Sequence, residues 1–306
     1  MKGMRGHTLT ASLLLALTLL GCTDSKQTEP TSKEKQSMNT SITAASPISL
    51  SLFEPVASWQ AKFPNMQVDK QPAGVNFYKV RFPKNGGKNQ AKILFEFGRN
   101  SIEIPAVLSI TGPYNLDFPN ENISEIWINS GLTENKEEMH DQARQAFFKL
   151  LDDIVKAGWK PYLSESYPRL MAKEILRRVA EEKDIDAKFN LRPEYMPTLD
   201  EWMALGDSLH WNFHANHVEM QITLSHDITK RDPQKPGAYF MSINLRPMTH
   251  AMQDGMAPEE RRDWRAVWLK SLPVSHAERA AEEAKAKAAG HQIDTDYQDP
   301  PMPPEH

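Results

Sequence analysis

HWNFHANHVEMQITLS, residues 210–225, alternates polar and apolar side chains on both sides of a central break. Successive side chains of a strand point to opposite faces, so this pattern describes two strands with one buried face and one polar face. Taking Ala215-Asn216 as the turn pairs residue 214 with 217, 212 with 219 and 210 with 221. Trp211, Phe213, Val218, Met220, Ile222 and Leu224 then share the core face, and His210, Asn212, His214, His217, Glu219 and Gln221 share the other. A third strand is expected at 239–245 (YFMSINL), after the turn-rich DPQKPG.

Towards the N-terminus, residues 75–82 (VNFYKVRF) and 92–97 (KILFEF) are rich in β-branched and aromatic side chains. Asn85-Gly86-Gly87 between them suggests a hairpin. Strand character continues at 101–110 and 123–129, with Pro105 requiring an edge or a bulge.

Between these sheet regions the period changes to that of a helix. Thr133 followed by Glu134, Glu137 and Glu138 suggests an N-terminus. Met139, Ala143, Phe147, Leu150, Leu151 and Ile154 form one face, and Gly158 follows the last turn. A second helix is expected at 168–183, packing through Leu170, Ile175, Leu176 and Val179. Thr198-Leu199-Asp200-Glu201 is a capping box opening a short helix. A helix near 258–272 presents Trp264, Val267, Trp268 and Leu272, and an Ala/Glu/Lys stretch at 275–289 is helical by propensity. The fold class expected is α+β: antiparallel sheet flanked by two or more amphipathic helices, the body spanning 48–272, with a build from two similar halves left open. Residues 273–306 then form a helical and finally disordered tail, Pro-rich and acidic at its end.

Ahead of the body, residues 9–22 (LTASLLLALTLLGC) follow Lys2 and Arg5 and end in the chain's single cysteine. The apolar core is too short for a comfortable bilayer span and has the layout of a secretory signal. Leu19-Leu20-Gly21-Cys22 resembles a bacterial lipobox. The resemblance implies a signal peptide at 1–21, a Cys22 carrying lipid such as palmitate, and, with Thr23 next, an outer-membrane anchor facing the periplasm. Residues 22–47 are polar and charge-balanced and read as a flexible tether.

Losing Lys2 and Arg5 leaves 34 basic against 40 acidic residues, a balance that argues against nucleic acid as a partner. A body without cysteine excludes disulfides and thiol catalysis. There is no G-x-S-x-G elbow, and Gly86-Gly87 lacks the Lys-Ser/Thr of a phosphate loop. The tryptophans fall on apolar periodicities and are expected in the core. The one constellation with metal-ligand chemistry is the polar face of the hairpin, where His210, His214, His217 and Glu219 are the candidate ligands. A solvent-facing sheet surface explains the same residues, and no cofactor is expected.

Taken together, Gly158-Trp159 with Tyr162, Tyr167-Pro168-Arg169-Leu170, Pro197–Trp202, the Trp-bearing hairpin and Lys235–Tyr239 resemble a group of small proteobacterial lipoproteins. These are associated with type VI secretion clusters and are similar to periplasmic immunity proteins against phospholipase-type effectors. The resemblance covers about residues 90–246 and rests on turns and packing residues. It implies a non-enzymatic lipoprotein that binds and inhibits a secreted effector, with interface residues unassigned. Two other readings stay open: a metal-dependent enzyme using the His210/His214/His217 face, and a structural envelope lipoprotein.

Overall fold

A computed structural model describes residues 46–257 and 259–304. The signal sequence, Cys22 and nearly all of the tether lie outside the described residues.

The elements in chain order are β1 (Ile48–Leu50), α1 (Val56–Lys62), β2 (Gln67–Lys70), β3 (Val75–Arg81), β4 (Ala91–Phe95), β5 (Ile102–Asn115) and β6 (Ile126–Ser130). Then come β7 (Glu138–Met139), α2 (His140–Lys156), β8 (Lys160–Pro161), α3 (Ala172–Arg177), α4 (Ile185–Lys188) and α5 (Leu199–Ala204). The chain ends with β9 (Leu209–Ala215), β10 (Val218–His226), β11 (Pro236–Gly237), β12 (Tyr239–Pro247), α6 (Met248–Met252) and α7 (Trp264–Ala288). The fold is α+β. One large, mostly antiparallel sheet runs β1-β4-β5-β6-β12-β10-β9-β8, with β3 also on β5 and β2 on β3. A small second sheet pairs β11 with β7.

A single row of side chains crosses six strands of the large sheet. Val80 pairs with Ile110, Ile110 with Ile128, Ile128 with Ile243, Ile243 with Ile222, and Ile222 with Trp211. All six are buried, and directly opposed residues share a face, so this row is the spine of the core. Over its Trp211 end lie α2 and α5, with Phe147 at 4.7 Å from the Trp211 ring and Phe148 edge-on to Trp202. The next row, Trp127–Asn244–Gln221–Asn212, faces the opposite way and is largely polar. One core therefore runs through the whole sheet.

The central hairpin folds with the faces expected and a different register. Val218 pairs with Ala215 and Glu219 with His214, so the turn residues are Asn216 and His217, both at positive φ (41° and 64°). That is the backbone of a tight two-residue hairpin turn, which Asn suits. A shift of two residues leaves every side chain on its own face, and only His217 leaves the ladder.

In the first half, the hairpin expected between residues 75–82 and 92–97 does not form. Asn85 and Lys88 do close a tight turn with Gly86 and Gly87 at positive φ, but β3 and β4 then both pair with β5. Ile110 carries β3 on the edge opposite β6, and Val107 carries β4 on that same edge. A 14-residue strand, about 45 Å long, has room for both end to end. Pro105 and Ala106 together oppose Lys92, so the proline does sit in a bulge, with Ala106 at φ +53°. Gly112 on β5 lets the Trp59 ring and Ile123 approach: a Cβ there would lie 2.7 Å from Ile123.

Helix α2 starts at His140, not after Thr133, because Glu138 and Met139 give their backbones to β11. Its far end matches expectation: Gly158 is at φ +89°, and Asn100 Nδ2 caps the Ala157 carbonyl at 2.7 Å. The helix expected at 168–183 is α3 followed by a wider π turn that ends on Lys183 at φ +58°, and its packing residues Leu170, Ile175, Leu176 and Val179 are all buried. The capping box on α5 is present, Thr198 Oγ1 accepting from Glu201 N and Glu201 Oε2 from Thr198 N.

Helix α7 is continuous through Pro273, and it anchors through Arg279, Glu283 and Ala286 while the expected tryptophan face is only half-buried. The stretch after it, expected to be disordered, lies on the body. Ile293 bridges to Leu170, Tyr297 Oη accepts from Leu163 N at 2.9 Å, and Arg279 holds Asp299 at 2.7 Å. Composition missed this because one tyrosine and several ion pairs, Arg279–Asp299 and Arg192–Asp294 among them, do the docking, not an apolar run.

A candidate binding cleft on the polar face of the sheet

The polar row meets the 162–190 segment, α6 and α7 around a cleft of about 710 Å3. Asn212 and Gln221 form its floor, with Gln221 Nε2 donating to Asn212 Oδ1 at 3.1 Å and Asn212 Nδ2 donating to the Phe189 carbonyl at 2.8 Å. Beside them stands Glu219, only 4 % exposed. Arg246 on the neighbouring strand donates to Glu219 Oε2 from Nε at 2.6 Å and to Asp254 from its terminal nitrogens at 3.1 and 2.6 Å. Burial raises the Glu219 carboxyl above its ordinary value, with Arg246 opposing, and the two acids hold the guanidinium firmly protonated.

The opposite wall carries a second arginine. Arg178 binds Asp184 at 2.7 Å and Glu182 at 3.3 Å, fixing the end of the π turn against α4, whose N-cap is Asp184. Tyr162 Oη donates to Glu165 at 2.9 Å, and burial raises both groups. Of the ionisable side chains lining the cleft, six are acidic (Asp184, Asp186, Glu219, Asp254, Glu278, Glu282) and two are arginines. Both arginines are already paired with carboxylates, so the cleft presents a surplus of negative charge.

The candidate metal ligands do not converge. His210 accepts or donates at Nδ1 with Thr223 Oγ1 at 3.0 Å and stacks on Phe189, ring centres 4.6 Å apart. His214 is buried opposite Glu219, and burial together with Lys160 pulls it down to about 4, so it stays neutral near pH 7. His217 sits in the turn, and Glu219 turns to Arg246. Among the described residues no group of three or more His, Cys, Asp or Glu side chains is placed to hold a metal ion. The two-residue register shift explains part of this: it carries His217 off the ladder and puts Thr223 opposite His210.

Three of the cleft's main residues escaped the sequence. Arg246 extends the alternation of 239–245 by one polar step, a signal present but ambiguous. Asp254 and Asp186 lie in short helical turns with no pattern to mark them. Trp59, Trp159, Trp202 and Trp211 are buried core residues, whereas Trp127, Trp264 and Trp268, also expected in the core, are only partly buried. No helix among the described residues is long and apolar enough to cross a membrane. No family model, curated protein or solved structure matches the chain.

Proposed function

We propose that the chain is a membrane-anchored lipoprotein of the periplasm that binds and inhibits a secreted effector, and that the cleft is its receptor surface. The observation that carries this reading is the Glu219–Arg246–Asp254 relay beside Asn212 and Gln221. It holds charged groups at fixed positions, Glu219 and Arg246 on strands and Asp254 in the turn after α6, in a concavity large enough for several side chains of a partner. Rigid charge of one sign gives a partner of opposite sign both steering and register. The lipobox-like Cys22 supports the address, and the polar sequence from 23 to 47 supports a tether that leaves the body free to turn towards its partner.

The test is protection. Cells producing the effector encoded beside this chain's gene in the periplasm survive when the chain is co-produced and die when it is absent. Equal killing in both sets the reading aside.

A further inference from the structure

We infer that the occupant of the cleft is a basic, amphipathic segment of a protein partner, one in which Lys or Arg side chains alternate with aliphatic ones. The inference rests on the cleft being the receptor surface proposed above, and it names what that surface takes. Three independent features point to it.

The first is uncompensated charge. Arg178 and Arg246 are committed to their carboxylates, while Asp186 and Glu278 form no ion pair with any described residue. The second is Tyr167, which lines the cleft, is 6 % exposed, and has a hydroxyl without a hydrogen-bond partner. The charges acting on that hydroxyl are those of Arg178, Asp184, Asp186 and Glu182, so it lies at the acidic end. Buried polar groups are rarely left unpaired. An ammonium or guanidinium lodged beside Asp186 gives that carboxylate the counter-charge it lacks and the hydroxyl a donor.

The third feature is the rim. Ile185 and Phe189, one helical turn apart beside those same aspartates, are 69 % and 47 % exposed. An acidic wall next to an apolar stripe matches the two ends of a Lys or Arg side chain, an aliphatic stem with a charged head, and apolar neighbours along the same segment. A bare polycation satisfies the acids and leaves Ile185 and Phe189 uncovered, whereas an amphipathic segment covers both.

The experiment titrates the full chain, in neutral detergent micelles, with short capped peptides alternating Lys and Leu, Lys and Ser, or Glu and Leu, with empty micelles as the blank. The Lys/Leu peptide binds, and its affinity falls about tenfold between low and high salt, as expected for partly exposed charges. Asp186→Asn with Glu278→Gln, two side chains without ion partners, weakens it about tenfold with no change in melting temperature. Tyr167→Phe weakens it about fivefold and leaves the melting temperature unchanged or higher, since the group removed has no partner in the free protein. Ile185→Ser weakens Lys/Leu binding but not Lys/Ser binding. The inference falls if the Glu/Leu peptide binds as well as Lys/Leu, if Lys/Ser binds equally to Lys/Leu, or if the Asp186/Glu278 variant binds unchanged. Titrating the effector into the same preparations separates the two ideas. An effector that binds the Asp186/Glu278 variant as tightly as the parent overturns this inference and leaves the inhibitor reading standing, whereas an effector that does not bind the parent removes both.

Discussion

Arg246 is shared: its Nε donates to Glu219 at 2.6 Å while its terminal nitrogens hold Asp254. The Glu219 side chain is almost fully buried and the Asp254 side chain largely exposed, so the guanidinium links the sheet floor to the cleft mouth. Breaking a buried pair leaves an uncompensated charge, which costs about 3–5 kcal/mol. Arg246→Met is therefore expected to lower unfolding free energy by about that amount at pH 8, and by less at pH 5. The sign follows from Glu219. Its folded carboxyl is raised by burial, and losing Arg246 raises it further. A carboxyl raised on folding takes up a proton on folding as pH falls, so the deficit shrinks at low pH. Urea denaturation at the two pH values checks this, and the double change Glu219→Met with Arg246→Met is expected to recover most of the loss.

Glu138 offers the simpler case. It is a buried residue of β7, paired with Gly237 of β11; its Oε2 has no hydrogen-bond partner, and burial raises its carboxyl. A raised folded value means stability is fully present below the ordinary carboxyl range and declines as pH rises through the folded value. Glu138→Gln removes that decline. It is expected to stabilise the protein by about 1 kcal/mol at pH 8 and by nearly nothing at pH 4. A gain that is equal at both pH values contradicts the assignment.

The C-terminal stretch is a structural strap. Tyr297 is buried, accepts a hydrogen bond from Leu163 N, and has the guanidinium groups of Arg192 and Arg279 over its ring at 5.7 and 5.9 Å. Tyr297→Ala is expected to cost about 3 kcal/mol, in the range for truncating a buried aromatic. Tyr297→Phe is expected to cost about 1 kcal/mol through the orphaned Leu163 amide. Thermal unfolding of the two variants distinguishes a packed strap from a loose tail, for which neither change shifts the melting temperature.

Cys22→Ser tests the address. Changing the only thiol in the chain is expected to move the protein from the membrane fraction to the soluble periplasmic fraction with an unchanged circular dichroism spectrum. Retention in the membrane fraction contradicts a lipid anchor at this position.

The sequence disclosed local geometry far better than pairing. Alternation fixed which face Trp211, Phe213, Met220 and Ile222 occupy, and the Thr198–Glu201 capping box and the Gly158 C-terminus appear where their chemistry requires. Strand partners were hidden because β3 and β4 have the composition of a hairpin but share one long neighbour, a relation set by β5 and not by the turn between them. The candidate site was half legible. Its floor residues Asn212, Glu219 and Gln221 lie on the face predicted to be polar, whereas Arg246, Asp254, Tyr167 and Asp186 arrive from other elements and meet only in the folded chain. The histidines share a face as the alternation requires, but the two-residue shift in register carries His217 into the turn, and Glu219 turns to Arg246.

The most direct measurement of the central claim is calorimetric titration of candidate effectors, the purified products of the genes adjacent to this chain's own, into the purified protein. The account predicts a saturable complex that inhibits the effector and weakens as salt rises, because partly exposed charges carry part of the recognition. An absence of binding heat together with full effector activity in the presence of excess protein contradicts it.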